Sequence, residues 1–496
     1  MATVPPLRLA HESRTSVRVT LSSRPAVART PPPESTRASP RAAAIPRASE
    51  GTQSVCPAHP KVRYPDLDLT QDAPQISDGL AQGSGMQPRF RLRHLAPLLL
   101  WSATASAAEP DWDRLDAAPT PLAALTEAAT WTSNDPGIAI RLALEIAVLH
   151  AEAGEPARAL STYPFGPGGD IPRPPAAGPR AFPPDLRCEP AVPALAAQSR
   201  DAQFVFINEA HHVPQTRLLT LAVLRELRAA GFTHLAVESL REPGTVLQAR
   251  GYPVAATGKY TREPVFAELL REALRLGWRV VDYEPRQHDG MEAREAGQAE
   301  NLWNRTLGTD PDARVLVHAG YAHVDLVRGR LFDILPLAGR IAERAPGAVL
   351  SIDQVDLRPD PSRREHPRYR PLLARFHSTG PQVCRLGDDL WALDPTRNTV
   401  SVLLPDGGTA ERPEWLALDG ARRPIAAPSL CGDTLPCLIE ARRLGDPPDE
   451  VAVDRCVQRD ADRCVLFLRG GSYQLRGSDS LGAPMGQTTA RLSGPD

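Results

Sequence analysis

Phe204-Val-Phe-Ile-Asn-Glu-Ala-His-His212 is an apolar run that ends abruptly in one glutamate and two histidines. The pattern returns at residues 235–238, 280–284 and 315–323, where short runs rich in β-branched residues end in an acid or a histidine. Continuous apolar runs of this length are typical of buried parallel strands. Because ligands bind just beyond the carboxyl ends of the strands in open α/β sheets, the ionisable side chains are predicted to meet in one crevice.

Amphipathic segments separate these runs and predict helices. Leucines recur at a spacing of three between Pro214 and Gly231, and an opening proline with a closing glycine is typical of a helix. Further elements are predicted as helices before Gly277, over residues 292–307 and after Arg330, and as a fifth strand at residues 349–353. The alternation predicts an α/β fold with a mostly parallel sheet flanked by helices, spanning residues 200–355.

Six side chains are candidates for the functional site in the predicted crevice: Glu209, His211, His212, Glu238, Arg294 and His323. Carboxylates and imidazoles together bind a divalent metal ion or activate a water molecule as a general base. An arginine beside them holds a carboxylate or stabilises a developing oxyanion. Burial and mutual repulsion are expected to move the pKa values of the two glutamates apart, leaving one of them as a base. Which of the two adjacent histidines takes part is left open.

Two other histidines are interpreted as bystanders. His318 lies inside its apolar run and is expected to be a core residue, and His234 is expected at the surface. Ser239 follows Glu238, but the surrounding residues lack the Gly-x-Ser-x-Gly pattern of a nucleophilic serine. The sequence therefore favours acid–base or metal chemistry over a serine nucleophile.

The core resembles the superfamily that contains erythromycin esterase, the ChaN-like haem-binding proteins and the Tiki/TraB proteins. Asn208-Glu-Ala-His-His-Val-Pro214 is similar to the Gly-Glu-x-His motif of that superfamily, with asparagine in place of the glycine. The similarity continues to Val237-Glu238 and to Arg294 with Gln298-Ala-Glu-Asn301. It ends at Gly320-Tyr-Ala-His323, where the superfamily has its late histidine.

The resemblance implies hydrolysis, with or without a metal ion, in some branches and haem binding in another. We therefore predict an exported hydrolase of an ester-, lactone- or peptide-like bond that acts on a small-molecule or peptide substrate. If a divalent metal ion takes part, its predicted ligands are Glu209, His212 and His323. The alternative is a non-catalytic haem- or metal-binding protein of the same fold. A haem pocket is typically lined by aromatic residues, which make up only 5% of the chain.

The N-terminal part of the chain predicts export. Residues 1–85 are dominated by Pro, Ala, Arg, Ser and Thr, a composition that buries too little apolar surface to fold. Residues 86–108 have the cationic start, the short apolar run and the small residues of a secretory signal peptide. We expect the product to begin at Met86, after a mis-assigned upstream extension, and to be cleaved near Ala107 or Ala108. The apolar run is too short to span a bilayer, so a periplasmic or secreted protein without a membrane anchor is predicted.

The cysteines agree with export. An even set of cysteines in an exported protein indicates disulfides. Beyond Cys56, the chain has Cys188, Cys384, Cys431, Cys437, Cys456 and Cys464. At least one disulfide is expected among the last four, whose spacings are wider than those of most paired-cysteine zinc sites. The pairing is left open by the sequence.

Three regions flank the predicted core. Residues 109–165 predict a helical hairpin packed on the core, and the Pro-rich residues 166–199 predict a linker. Residues 356–496 predict a β-rich accessory region, in which residues 399–404 and 464–468 are expected to form small hairpins. The formal net charge is −2 and no basic stripe carries interleaved aromatic residues, so nothing in the sequence supports nucleic-acid binding.

Overall fold

A central β-sheet positions the candidate site. The computed structural model describes residues 109–164, 182–360, 365–407, 410–460 and 464–493. All of them belong to one unit, Leu99–Asp496. The predicted start at Met86, the signal peptide and most of the Pro-rich stretch lie outside the described residues.

The central sheet has nine strands in the described part of the chain. They are β1 (Arg187–Pro190), β2 (Phe204–Glu209), β3 (His234–Val237), β4 (Arg279–Asp282), β5 (Val315–Gly320), β6 (Val349–Asp353), β7 (Gln382–Leu386), β8 (Asp389–Leu390) and β9 (Val400–Leu403). Their order is β1-β7-β9-β6-β2-β5-β3-β4, with β8 paired to β7. The six strands from β9 to β4 pair in parallel, and antiparallel pairing is confined to the β7 edge. The predicted mostly parallel sheet is confirmed.

Helices cover both faces of this sheet. They are α5 (Ala191–Gln198), α6 (Leu218–Ala229), α7 (Gly244–Arg250), α8 (Pro264–Arg275), α9 (Gly290–Arg305), α10 (Leu337–Arg344) and α11 (Tyr369–Phe376). Val205 and Ile207 of β2 pack in one core with residues of α6 and α8, whereas Phe204 and Phe206 pack in a second core with residues of α9 and α10. Because both faces of β2 are buried, its sequence is a continuous apolar run rather than an alternating one.

In the described residues, four helices precede the sheet: α1 (Trp112–Ala117), α2 (Pro121–Ala128), α3 (Pro136–Glu152) and α4 (Pro156–Thr162). Helices α3 and α4 lie at the residues of the predicted helical hairpin, and α1 and α2 precede them. The Asp135 side chain accepts hydrogen bonds from the N–H groups of Gly137 and Ile138, and Pro136 occupies the first turn, which together define the start of α3. The contact of this hairpin with the core brings Tyr163 against the ring of His212.

The sheet extends beyond the predicted core at both ends of the sequence. Strand β1 and helix α5 lie within residues 182–199, which were predicted to be linker. The predicted local hairpin at residues 399–404 is wrong, because β9 pairs in parallel with β6 and antiparallel with β7. Residues 464–468 likewise pair with a remote strand rather than with the next one. Local turn residues predict where a strand ends, but they do not determine which strand it pairs with.

The C-terminal region is rich in β-structure, as predicted. It contains β10 (Arg423–Ala426), β11 (Cys437–Arg443), β12 (Asp454–Gln458), β13 (Val465–Leu468), β14 (Gly471–Ser478) and β15 (Pro484–Leu492). Strands β12-β11-β14-β15 form one antiparallel sheet, and β10 and β13 form a separate pair. Their shared core is small and includes Ile439, Leu466 and Tyr473.

Three disulfides join the six cysteines of the described residues, and two of them brace this small core. Cys431 pairs with Cys437 and Cys456 with Cys464, so the predicted C-terminal disulfide is confirmed. The third joins Cys188 and Cys384, which face each other across β1 and β7. These bonds indicate folding in an oxidising compartment. Within the described residues, we find no helix with the length and apolarity needed to cross a bilayer.

We expect the Cys188–Cys384 disulfide to stabilise the fold most, because it closes a loop of 196 residues. Loop-closure entropy gives about 5 kcal/mol for a loop of this length and about 2.5 kcal/mol for the two short ones. Urea unfolding of the double serine variant at Cys188 and Cys384 should therefore show the largest loss of unfolding free energy. An equal or larger loss in the double variant at Cys431 and Cys437 would contradict this ranking.

Candidate functional site

The site residues are delivered by four neighbouring strands, in the spatial order β2-β5-β3-β4. Glu209 is the last residue of β2, and Glu238 follows the last residue of β3. His323 lies in a single helical turn, Tyr321–Val324, directly after β5. Glu284 lies two residues beyond the end of β4. The four strand ends thus place their ionisable side chains along one edge of the sheet.

His211 is held in place by a buried carboxylate. Its Nδ1 lies 2.7 Å from Oε1 of Glu209, and Oε2 of that carboxylate accepts a hydrogen bond of 2.6 Å from Nε of Arg217. The guanidinium is fully buried, and it also donates to Glu263 and to the His211 carbonyl. The imidazole is stacked on the ring of Tyr260, with a centroid distance of 3.8 Å. These contacts fix the orientation of the His211 ring.

His211 and Glu238 meet over Gly320. A Cβ atom at position 320 would overlap the Cε1 and Nε2 atoms of His211 and approach Oε2 of Glu238. The Gly320 N–H donates to that same carboxylate oxygen. Glycine is therefore required at the end of β5, because only a residue without a side chain lets the imidazole and the carboxylate come this close.

Arg294 contacts both Glu238 and Glu284. It donates from Nη2 to Oε1 of Glu238 at 2.9 Å and makes a paired interaction with Glu284. Gln298, one turn further along α9, donates to Glu284 at 2.9 Å. The arginine side chain is 17% exposed, so α9 presents a partly accessible cation beside two carboxylates.

His323 lies between two carboxylates. Its Nε2 is 3.3 Å from Oε1 of Glu238, and its Nδ1 is 2.7 Å from Oε1 of Glu295. Burial alone would lower the pKa of His323, but these two carboxylates raise it to about 10. Nε2 of His323 also lies 3.2 Å from Nη1 of Arg294, so a second cationic group is beside the same nitrogen. The structure thus places His323 between Glu238, Glu295 and Arg294, and its roles as a base or a metal ligand stay predictions.

The raised pKa of His323 predicts a pH-dependent stability. The folded protein holds the proton up to about pH 10, whereas the unfolded chain releases it near pH 6.5. The contribution is fully present below pH 6.5 and is lost as the pH rises towards 10, on the order of a few kcal/mol. Urea unfolding at pH 6.5 and pH 9.5 should show a larger fall for the wild type than for His323→Gln. An equal fall in the two proteins would contradict the buried imidazolium.

His212 turns away from this cluster. Its ring is stacked on Tyr163, with a centroid distance of 3.5 Å, and its Nδ1 lies 3.1 Å from the hydroxyl of Tyr321. The predicted ligand set of Glu209, His212 and His323 is not brought together as a metal site. Within the described residues, no group of three or more His, Cys, Asp or Glu side chains has an arrangement that would hold a metal ion. A divalent metal ion remains a prediction, without a ligand set in this structure.

The two glutamates do not separate into an acid and a base. Burial alone would raise the pKa of Glu209, but Arg217 and the hydrogen bond to His211 hold it well below the usual range. The pKa of Glu238 is likewise held well below that range by His323 and the neighbouring cations, against the effect of burial. The two pKa values were expected to move apart and leave one glutamate as a base, but both are lowered, because each carboxylate has its own cationic partners. Both are anionic at neutral pH.

Three neighbouring positions help to explain the local geometry. Asn208, where the resembled motif has glycine, donates to the Tyr321 carbonyl at 3.0 Å and accepts from the Gln354 N–H at 2.8 Å. Its side chain thus ties β2 to the segments after β5 and β6. Ser239 and Tyr321 both have positive φ angles, 67° and 40°. Strained residues of this kind concentrate at functional sites, and these two directly follow Glu238 and Gly320.

The other histidines differ in how well they were predicted. His318 is buried, as predicted, with Nδ1 3.0 Å from the Thr220 hydroxyl and Nε2 3.5 Å from Glu209. His234 was expected at the surface, and this is wrong, because it is buried at the start of β3. It lies at the opposite end of that strand from Glu238.

Several residues of the site were not identified from the sequence. They are Tyr163, Arg217, Tyr260, Glu263, Glu295 and Tyr321. The one signal for Arg217 was a charged residue at the start of an otherwise apolar helix face. Glu295 is adjacent to Arg294, but the sequence does not show that it reaches His323. Tyr163 and Tyr260 come from distant segments, so only the folded chain places them here.

A large cleft lies elsewhere on the protein. It has a volume of about 1960 Å³ and lies between α6, α8 and the C-terminal region, with Leu218, Trp415 and Phe467 among its lining residues. None of the six predicted site residues lines it. The candidate site at the strand ends is therefore identified from its ionisable side chains and their contacts, not from the position of that cleft.

Comparison with known proteins leaves the family open. No protein-family model matches the sequence, and no curated protein matches it. Among solved structures, the type III effector HopBA1 is 14% identical, with a TM-score of 0.26 over 45% of this chain and 100% of the effector chain. A structure of bacterial protein toxins is 14% identical, with a TM-score of 0.23 over 30% of this chain and 34% of that one. Neither similarity is high enough to inform fold or function.

Proposed function

We propose that the protein is an exported hydrolase of an ester-, lactone- or peptide-like bond. The observation that carries the proposal is the Arg217–Glu209–His211 arrangement beside the Glu238–Arg294–His323 network. It combines an oriented imidazole with a partly accessible guanidinium at the carboxyl edge of a parallel sheet. The resemblance of the motifs around Glu209, Glu238 and His323 to the erythromycin esterase superfamily supports the same class of reaction.

His211 is the proposed general base. The Glu209 carboxylate at Nδ1 favours the tautomer that carries its proton there, which leaves the lone pair of Nε2 free to accept a proton. Nε2 lies over Gly320 on the side of Glu238. A water molecule bound between Nε2 and the scissile carbonyl would lose its proton to His211 as it attacks that carbonyl carbon.

The cations of the site have a second role in this proposal. Attack of water on a carbonyl places negative charge on its oxygen, and a fixed donor lowers the energy of that transition state. Arg294 is the proposed donor, since its guanidinium is partly exposed and its orientation is fixed by Glu284 and Glu238. His323 compensates the buried charge of Glu238 and keeps that carboxylate in place.

A panel of neutral esters, lactones and short peptides, assayed with the purified oxidised protein, tests the proposal. Hydrolysis of at least one class is expected, and assays with and without a chelator decide whether a divalent metal ion takes part. A visible spectrum of the same sample separates the alternative of a haem-binding protein. Stoichiometric Soret absorbance with no hydrolysis of any class would refute the hydrolase.

A further inference from the structure

Arg358 is a buried cation close to the proposed site. It lies five residues beyond the end of β6, the neighbour of β2, and therefore at the same edge of the sheet. Only 1% of the residue is exposed. Its position follows from the chain direction, since the segment after β6 passes the same strand ends that carry the site.

The guanidinium of Arg358 is poorly compensated. Among the described residues it makes one hydrogen bond, from Nη1 to the Pro359 carbonyl at 3.2 Å, and its buried Nε has no acceptor. Asp356 and Asp360 influence it electrostatically, and Asp356 forms ion pairs with two other arginines, Arg330 and Arg397. Burial lowers the pKa of Arg358 despite these acids.

Two other buried arginines show the contrast. Arg217 donates to two glutamates. Arg330 forms ion pairs with three aspartates, Asp325, Asp353 and Asp356. Buried charges in proteins are normally paired in this way, because an unpaired one loses its hydration without compensation. Arg358 departs from that rule within the same structure.

Two tyrosines interact with this guanidinium, and one of them is in ring contact with His211. Arg358 lies near enough to Tyr321 and Tyr163 to interact electrostatically with both phenol groups. The Tyr321 hydroxyl lies 3.1 Å from Nδ1 of His212. The rings of Tyr321 and His211 are nearly perpendicular, at 88°, with a centroid distance of 5.1 Å. One aromatic ring thus separates the unpaired cation from the proposed base.

We propose that Arg358, with the phenol groups of Tyr163 and Tyr321, binds a carboxylate of the substrate one ring's width from the scissile bond. The inference rests on the proposed function and extends it, since it assigns an anionic substrate class. A planar guanidinium is well suited to a carboxylate because it donates two parallel hydrogen bonds to it. The bound carboxylate then offsets the hydration that the guanidinium loses by burial. Arg358 is a binding residue in this account and takes no part in proton transfer.

A matched pair of esters tests the substrate class. Hydrolysis of p-nitrophenyl butyrate is compared with that of the p-nitrophenyl monoester of glutaric acid, which carries a carboxylate at the far end of its acyl chain. In Arg358→Met the ratio of kcat/KM for the anionic over the neutral ester should fall about tenfold or more, as expected for loss of a charged hydrogen-bonded pair. The exposed control Arg370→Met should leave that ratio unchanged. An unchanged ratio in Arg358→Met overturns the inference.

A binding measurement separates this inference from the proposed function. Glutarate and inorganic phosphate are titrated calorimetrically into protein carrying Glu238→Gln, with and without Arg358→Met. Glutarate should bind at least tenfold more weakly when Arg358 is replaced, even if no ester is hydrolysed. Glutarate binding that is unaffected by Arg358→Met, or binding of phosphate alone, overturns the carboxylate site.

Urea unfolding of Arg358→Met should show undiminished stability, since the replacement removes a poorly compensated buried charge. A large loss of unfolding free energy would instead assign a structural role to Arg358 and overturn the inference.

Discussion

Replacement of His211 by glutamine is expected to lower the rate of hydrolysis by about a hundredfold or more, as loss of a general base does. Glutamine keeps a polar side chain that fills much of the space between Glu209 and Gly320, but it has no basic nitrogen. The side chain of His211 is 14% exposed, whereas Glu209 and Glu238 are almost fully buried. His211 therefore combines a basic nitrogen atom with access to a substrate. The measurement is kcat/KM on the best ester, lactone or peptide of the panel.

His212→Gln is the matched control for this prediction. Its imidazole packs on Tyr163, and its Nδ1 lies 3.1 Å from the Tyr321 hydroxyl. We expect its loss to lower the rate by roughly tenfold at most, because proton transfer is retained. A larger effect in His212→Gln than in His211→Gln would exchange the roles of the two histidines and refute the mechanism.

Replacement of Arg217 by methionine is expected to destabilise the fold by about 3–5 kcal/mol, because it leaves two buried carboxylates without their cation. Both Glu209 and Glu263 are more than nine-tenths buried and depend on this guanidinium. The same change should misalign His211, whose carbonyl also accepts a hydrogen bond from Arg217. Chemical unfolding monitored by circular dichroism gives the change in unfolding free energy.

The exposed Arg225 on α6 provides the control for this measurement. Its guanidinium is 68% exposed and reaches one glutamate at 3.5 Å, so Arg225→Met should change the unfolding free energy by less than about 1 kcal/mol. Equal effects of the two replacements would show that the Arg217 network contributes nothing beyond a surface ion pair.

The sequence predicted the parallel core well because the two patterns that indicate it, apolar runs and helix-terminating residues, are both local. The apolar runs at β2, β3, β4 and β5 arise from burial on both faces, and the punctuation of α6 and α8 by proline and glycine is a backbone property. The carboxyl ends of adjacent parallel strands necessarily share one edge. The clustering of Glu209, Glu238 and His323 at one edge thus follows from topology alone.

The details of the site required contacts that no local pattern encodes. The pKa of Glu238 depends on His323 and Arg294, which are 85 and 56 residues away in the sequence. The role of His211 depends on Arg217 holding Glu209, and the rotation of His212 depends on Tyr163 from the N-terminal hairpin. Strand β9 was misassigned for the same reason, since its parallel partner β6 lies about fifty residues upstream. Long-range pairing and charge compensation are properties of the assembled fold.

The rate of hydrolysis by Glu238→Gln, measured beside the wild type, tests the central claim most directly. Glutamine removes the charge that orients Arg294 and pairs with His323, while the change in side-chain volume is small. The account predicts a fall of about a hundredfold or more, with a folded protein by circular dichroism and full activity in the exposed control Glu300→Gln. Wild-type activity in folded Glu238→Gln protein would contradict it.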